Sequence, residues 1–350
     1  MRFSIYSEIQ QHTQTPEQLY AEVLEQIVNA DRLGYHTYAA IEHFFFPKFS
    51  ISANPTALFA AAAQKTRNIT FRTLLHALPF HNPLVLASTI AATDILTGGR
   101  YEFGVGRGHG WIPSKAGLAL DEESRPRYEE AVTLLFKALT DKRFSHHGTY
   151  FHVDDSHIAP FPARKLRIYL GGTSDRTYEL AAQHGWGVAV PPLIPYAALA
   201  KQLEFYRAKC TEFGTTPDIV WIRACHLDHD RDTAMREARR WIPGFIQGNS
   251  SPLTEYDKPP AADLLRAGYG AYATGVLESL AAIPFDQLVA EQYVWAGTPA
   301  DILEQIAATR AQCPGIMEIC ITVNGGGAPH WMAIKNQELF AHDVMPHVPA

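Results

Sequence analysis

Cysteine is scarce in this chain: only Cys210, Cys225, Cys313 and Cys320 occur in 350 residues. Their spacing matches no zinc-ligand set and no thiol redox motif, so they read as reduced thiols and the chain as cytoplasmic. Charge is sparse too, at 19% of residues with a formal balance of −6. Lysine and arginine form no runs, which excludes nucleic acid and anionic membrane surfaces as expected partners. Long apolar runs are missing: the opening Met1-Arg-Phe-Ser-Ile-Tyr-Ser-Glu8 has no signal-peptide core, and no stretch reaches the length of a bilayer span. Also missing are the dinucleotide pattern Gly-x-Gly-x-x-Gly, a phosphate loop ending in Gly-Lys-Ser/Thr, short-period repeats and low-complexity tracts.

What is present is a composition that is 47% hydrophobic, enough for a large core and too much for a disordered chain. Strand and helix patterns alternate along it. Alternation at 2–6 is followed by Thr15-Pro16-Glu17, which supplies an N-cap, a first-turn proline and a first-turn acid for a helix that stops at Gly34. Further strands are expected at 35–41, 69–75, 101–105, 166–170, 187–190, 219–227 and 317–323. Helices are expected at 55–65, 83–96, 122–139, 175–184, 197–213, 233–246, 301–311 and 331–344. Eight strands separated by helices imply parallel pairing with right-handed crossovers. This favours a closed (β/α)₈ TIM barrel over a doubly wound open sheet. The chain reads as one barrel domain over 1–350, with a hairpin-like excursion near 143–165 and a long insertion near 248–290.

In such a barrel, chemistry belongs to the loops after the strands. The second strand leads into Glu42-His43-Phe44-Phe45-Phe46-Pro47 and the third into His76-Ala-Leu-Pro79-Phe-His81-Asn-Pro83. The fourth leads into the run Gly104-Val-Gly106-Arg107-Gly108-His109-Gly-Trp111. Glycines at 104, 106 and 108 remove side chains where a ligand could approach the backbone, although such a run is also an ordinary tight turn. Arg107 is a permanently charged fork suited to phosphate. The fifth strand leads into Gly171-Gly172-Thr173-Ser174-Asp-Arg-Thr177, a helix start whose free N–H groups and hydroxyls suit an anion. With Arg107 it would make a phosphate pocket. The last strand leads into Asn324-Gly-Gly-Gly327.

Several of these segments, in order, make the chain resemble the bacterial luciferase-like, flavin-dependent monooxygenase family. They are Ile41-Glu42-His43-Phe44, Asn54-Pro55, Leu78-Pro79-Phe80-His81-Asn82-Pro83, Gly98-Gly99-Arg100-Tyr-Glu-Phe-Gly-Val-Gly-Arg-Gly108, His147-Gly148-Thr-Tyr-Phe151, Ala181-Ala-Gln-His-Gly185, Gly297-Thr298-Pro299 and Asp343-Val-Met-Pro346. The resemblance implies a (β/α)₈ barrel and an FMN site. In it Arg107 and Ser174 hold the phosphate, with Thr177, Gly106, Gly172 and Thr173 beside them, and Leu74-Leu75 forms a cis peptide under the flavin ring. It also implies that His43 is catalytic, moving a proton near neutral pH. Phe44 stands where many members carry a second histidine, which argues against light emission.

The expected activity is oxidation of a small, apolar organic substrate by reduced FMN and O₂, with a separate NAD(P)H-flavin reductase as partner and a homodimer as the assembly. An F420- or NAD(P)H-dependent oxidoreductase of the same fold, or a flavin-binding protein without turnover, are the alternatives. A metal-dependent barrel hydrolase is disfavoured, because the first strand leads to Ser7-Glu8-Ile9 and not to His-x-His. Phe44, His81, His109 and Trp111 are the expected substrate contacts, with Phe45, Phe46, Phe49, Trp186 and Trp295 as further cavity aromatics and His76 and His330 as further polar groups. His146, His147, His152 and His157 are read as a surface feature and not a metal site, because no carboxylate recurs at ligand spacing beside them.

Overall fold

The computed structural model describes every residue except 173, 256, 257 and 350. The first half of the chain builds β1 (Arg2–Ser7), α1 (Pro16–Arg32), β2 (Thr37–Ala40), α2 (Pro55–Ala63), β3 (Thr70–Ala77), α3 (Pro83–Leu96) and β4 (Tyr101–Gly106). After the short α4 (Ile112–Lys115) and α5 (Ser124–Thr140) comes an antiparallel hairpin, β5 (Phe144–His147) and β6 (His152–Ser156). The alternation then resumes with β7 (Ile168–Gly171), α6 (Asp175–His184), β8 (Gly187–Val190), α7 (Tyr196–Phe213), β9 (Ile219–Leu227) and α8 (Arg231–Thr254). Four short helices follow: α9 (Ala261–Arg266), α10 (Gly270–Ala273), α11 (Val276–Ala281) and α12 (Phe285–Ala290). The chain finishes with β10 (Trp295–Gly297), α13 (Pro299–Gln312), β11 (Glu318–Thr322) and α14 (His330–Asp343).

The barrel runs β1-β2-β3-β4-β7-β8-β9-β11, all parallel, and closes where β11 returns to β1 with Arg2 beside Glu318. The open-sheet alternative is thereby excluded. Local chemistry sets most boundaries. Thr15 and Gln18 form a capping box at α1, Asn54 and Asn82 cap α2 and α3 ahead of a proline, and Gly185 and Gly214 end α6 and α7 in the left-handed conformation.

Inside the barrel, the end where strands begin is closed by charge. The buried Arg72 guanidinium donates to Glu102 at 2.9 and 2.6 Å and to Glu318 at 2.7 and 3.1 Å. Burial alone would raise the Glu318 carboxyl, but Arg72 beside it outweighs that and holds it at about 2. Tyr6, Ala39, Leu74, Val220, Ile222 and Cys320 form the apolar cluster inside the barrel.

Two departures from the sequence reading concern the second half. Helix α8, which already contains Pro243, does not stop near 246; it continues through Pro252 to Thr254, so the expected insertion begins inside a helix. Trp241, Ile242, Phe245, Ile246 and Leu253 are all buried along it, and that packing outweighs the proline penalty. Strand β10 was not anticipated, because three residues carry no periodicity; it pairs with β9 at Cys225, His226 and Leu227, past the reach of β11.

Candidate active site

Side chains along β2 alternate, with Ala39 and Ile41 in the inner cluster and Tyr38 and Ala40 in the outer core. His43 continues the inward parity. Its ring is buried, stacks on Phe49 at 4.0 Å and meets His109 edge-on at 5.4 Å. The Trp111 indole N–H donates to His43 Nε2 at 3.4 Å. An indole can only donate, so Nε2 carries the lone pair and Nδ1 the hydrogen. That Nδ1–H is buried with no partner among the described residues. Burial, then the neighbouring His109, pushes the His43 pKa well below 6.5, and burial takes His109 down to about 4. Both rings are therefore neutral at pH 7, and His43 offers one proton on an unsatisfied nitrogen.

Glu42 has the opposite parity and faces outward. Its Oε2 meets His76 Nδ1 at 2.6 Å, and its Oε1 meets His81 Nε2 at 2.6 Å and accepts from the Ala77 N–H at 3.2 Å. The chain of contacts continues from His76 Nε2 to the Tyr101 hydroxyl at 2.9 Å and on to Thr73 at 2.7 Å. Burial would raise the Glu42 carboxyl, but the two imidazoles outweigh it and hold it at about 2. The ligating atoms of Glu42, His76 and His81 lie within 4.8 Å of one another. They are also each other's hydrogen-bond partners, so the group clamps the ends of β2 and β3 without needing an ion.

The glycines of β4 and β7 serve a different neighbour from the one expected. The Leu74-Leu75 peptide is cis, and Leu75 fills the space beside Gly104, Gly106 and Gly171; a Cβ on any of them would collide with its side chain, at 2.8 Å in the case of Gly106. The backbone there is approached by leucine, not left open. Gly106 and Gly171 lie side by side, because Val105 pairs with Leu170, and Arg107 and Gly172 follow directly on the same rim. Gly172 has φ +149, and a Cβ there would sit 3.1 Å from the Thr177 hydroxyl. Ser174 caps α6, accepting from the Thr177 N–H and contacting the Thr177 hydroxyl at 2.9 Å. Thr173 lies outside the described residues.

Arg107 is half-buried and pairs with no carboxylate among the described residues. Nη1 donates to the Ala267 carbonyl and Nη2 to the Gly268 carbonyl, both at 2.6 Å, and the guanidinium lies 4.0 Å over the Tyr269 ring. Tyr269 returns a hydrogen bond to the Arg107 carbonyl at 3.1 Å. Burial lowers the Arg107 pKa, and the like charge of Arg125 adds to that. The insertion therefore reaches over the rim and holds the expected phosphate ligand through backbone oxygens.

The remaining expected positions divide. Trp111 stacks on His109 at 4.6 Å, and Tyr272 of the insertion meets both rings, so His43, Phe49, His109 and Trp111 form one cluster. Phe44 packs on Phe80 at 5.6 Å, and Phe46 lies 5.9 Å from His43. Phe45 is 54% exposed, with its ring 5.9 Å from that of Phe44. Trp186 and Trp295 also lie apart from the His43 cluster. Trp186 stacks on His184 where β8 begins, at the opposite end of the barrel, and Trp295 on β10 meets Trp221 edge-on. His330 binds Glu25 and Gln26 on α1. The hairpin histidines do have a carboxylate beside them: pairing of His147 with His152 brings both rings to Asp154, all exposed, a cross-strand contact that spacing along the sequence hides. A cavity of about 440 Å³ lies at the end where strands begin, lined by Arg167, Trp186, Asp218 and Met317 among others; of the expected positions it holds Trp186 alone. Sequence reasoning missed Glu8, Arg125, Asn249, Tyr269 and Tyr272; only for Glu8 was a signal available, in the alternation of β1.

Comparison with known proteins adds to this geometry. The family model for luciferase-like monooxygenases matches residues 1–314. The oxygenase component of the flavin-dependent trigonelline monooxygenase of Acinetobacter baylyi is 27% identical over 242 residues, 67% of each chain. The F420-dependent glucose-6-phosphate dehydrogenase of Intrasporangium calvum is 25% identical over 297 residues, 81% of this chain and 84% of that one. Among solved structures, monooxygenase RslO1 of Streptomyces bottropensis superposes with a TM-score of 0.82 at 25% identity, covering 99% of each chain.

Proposed function

The chain belongs to the luciferase-like monooxygenase family, whose members include flavin- and F420-dependent enzymes, and from that premise we propose that it is an FMN-dependent monooxygenase. The carrying observation is Arg107: a half-buried guanidinium without a carboxylate partner, on the rim beside a helix start capped by Ser174. A half-buried cation compensated, among the described residues, only by carbonyl oxygens and a ring favours an anion, and the first turn of α6 offers backbone N–H groups to the same anion. Gly172, which a Cβ would crowd against Thr177, supports a close approach there. Arg107, Gly106, Gly172, Thr173, Ser174 and Thr177 would hold the FMN phosphate, and Leu74 and Leu75 would lie under the ring. Reduced flavin supplies the electrons for activating O₂, and His43 holds a proton on Nδ1 for the reacting substrate. The aromatic cluster around His43 excludes water.

A separate NAD(P)H-flavin reductase would deliver the reduced cofactor, as the name of the trigonelline relative, an oxygenase component, suggests for that protein. Val85, Ile95 and Leu96 on α3, 64%, 55% and 56% exposed, support a homodimer packed through outer helices. Four free, buried cysteines support a cytoplasmic setting. Among the described residues no helix is long and apolar enough to cross a membrane.

The test is equilibrium binding of FMN, riboflavin and F420 to the purified chain, followed by oxygen uptake with chemically reduced FMN. FMN should bind more tightly than riboflavin, and the complex should consume oxygen. Tight F420 binding with FMN ignored would overturn the cofactor assignment.

A further inference from the structure

Glu8 stands one residue past the end of β1 and is buried. Along β1, Ser4 and Tyr6 face the interior: Ser4 donates to Glu318 at 2.7 Å, and Tyr6 packs with Ala39, Leu74 and Cys320. Phe3, Ile5 and Ile9 belong to the outer core. The period of two points Glu8 inward. Tyr6 pairs with Ala39, so Glu8 stands level with Ile41, one inward position below His43 on the neighbouring strand.

Its two oxygens differ. Oε2 accepts from Gln10 Nε2 at 2.9 Å and from Asn249 Nδ2 at 2.8 Å. The orientation of the Gln10 amide is fixed, because its Oε1 accepts from the Gly326 N–H at 2.7 Å and its Nε2 also donates to the Phe245 carbonyl. Asn249 Nδ2 donates to that same carbonyl at 2.9 Å. Neither amide can turn an oxygen toward Glu8, so both lone-pair positions of Oε2 are engaged and a carboxyl proton belongs on Oε1. Oε1 has no partner among the described residues, and no lysine, arginine or histidine pairs with Glu8 there. We propose that Glu8 is a substrate-recognising residue of the candidate site, whose Oε1–H donates to an oxygen acceptor on an uncharged organic substrate.

The proposal rests on the monooxygenase reading of the site. Burial raises the Glu8 carboxyl to about 8 against the two amide donors, so it is mostly protonated at pH 7. Tyr6, the titratable neighbour on its own strand, stays neutral as well: burial, then Glu8 itself, raises it well above its ordinary value. With His43 and His109 neutral, the described groups named here offer no fixed charge to a sulfonate or an ammonium group, and a donor such as Oε1–H selects for a carbonyl, ether or hydroxyl oxygen.

Two measurements test this. Infrared difference spectra of the flavin-free protein should show a protonated-carboxyl stretch at pH 7 that disappears as pH rises through about 8 and is absent in Glu8→Gln. The second follows cyclohexanone, cyclohexylamine and cyclohexanesulfonate binding to the FMN-loaded protein through the flavin spectrum. Cyclohexanone should bind best, about tenfold more weakly to Glu8→Ala, and within about threefold of native to Glu8→Gln, whose amide can still donate. Absence of the carboxyl band at pH 7, equal or absent cyclohexanone binding in native protein and Glu8→Ala, or tighter binding of the amine overturns the proposal. Should Glu8→Ala fail to fold, the near-isosteric Glu8→Gln and the infrared arm still decide. FMN affinity should be unchanged in both variants, and the infrared arm needs no flavin, so a failure of the FMN assignment would be seen separately.

Discussion

Replacing Arg107 with alanine isolates the phosphate contact, because FMN and riboflavin differ only in that group. A guanidinium has five N–H donors. The structure uses one from Nη1 and one from Nη2 on the carbonyls of Ala267 and Gly268. Three remain, so a phosphate can be added without breaking the hold on the insertion. One or two charge-assisted hydrogen bonds in a half-buried setting contribute about 1–3 kcal/mol, equivalent to roughly 5- to 150-fold in Kd. Fluorescence titration of both ligands should therefore show FMN binding weakened by that factor and riboflavin binding nearly unchanged. Arg107→Lys should fall between, since an ammonium cannot reproduce the fork. If riboflavin weakens as much as FMN, Arg107 acts by holding residues 267–269 in place and the phosphate assignment fails. If neither changes, the anion site lies elsewhere.

Three further outcomes are expected. His43→Asn should bind FMN as the native protein does while product formation falls about 10²-fold, and the native rate should stay flat as pH drops past 6.5, because the folded pKa lies well below it; full activity, or an inflection near 6.5, removes His43 as the neutral proton carrier. For His109 the folded pKa is about 4 against 6.5 unfolded, so the unfolded chain binds more protons between those values and stability is lost as pH falls through that window, with a ceiling of roughly 3 kcal/mol at about 1.4 per unit; urea midpoints should fall with pH there, and less steeply in His109→Phe. Gly171→Ala should cost about 1–3 kcal/mol by driving a methyl group into Leu75, and a double-mutant cycle with Leu75→Ala should recover part of it; additivity would mean that the two do not touch.

Much of the barrel was legible because its helices announce their ends. Thr15-Pro16, Asn54-Pro55, Asn82-Pro83 and Ser174 mark starts, and Gly185 and Gly214 mark stops, each by a mechanism local to a few residues. With those fixed, β8 and β9 fall on the expected residues end to end. The parts that were not legible depend on distant packing. Pro252 reads as part of the insertion, and only the burial of Trp241, Phe245 and Leu253 against the rest of the molecule explains why α8 runs on through it. Strand β10 exists because β9 extends beyond the reach of β11, and nothing in residues 295–297 declares it.

For the site, position along a strand proved more informative than residue type. His43, which follows β2, meets His109 and Trp111, which both follow β4, because all three stand past strand ends on one rim. Trp186 and Trp295 are as aromatic as Trp111 but stand where β8 begins and on the short β10, so composition alone put them in the wrong place. Glu42 and His43 are adjacent in the chain, yet parity sends them to opposite faces, one to clamp His76 and His81 and the other into the mouth. The same rule, carried one step past β1, turns Glu8 inward. Two ends of the rim then differ in kind: the β4–β7 side carries the uncompensated charge of Arg107, and the β1–β2 side carries groups that burial keeps neutral. A ligand anionic at one end and uncharged at the other can lie in only one direction across that rim. Reversing the charge at Arg107 should therefore weaken binding of any such ligand more than removing it does, whereas at Glu8 only the loss of the donor should matter.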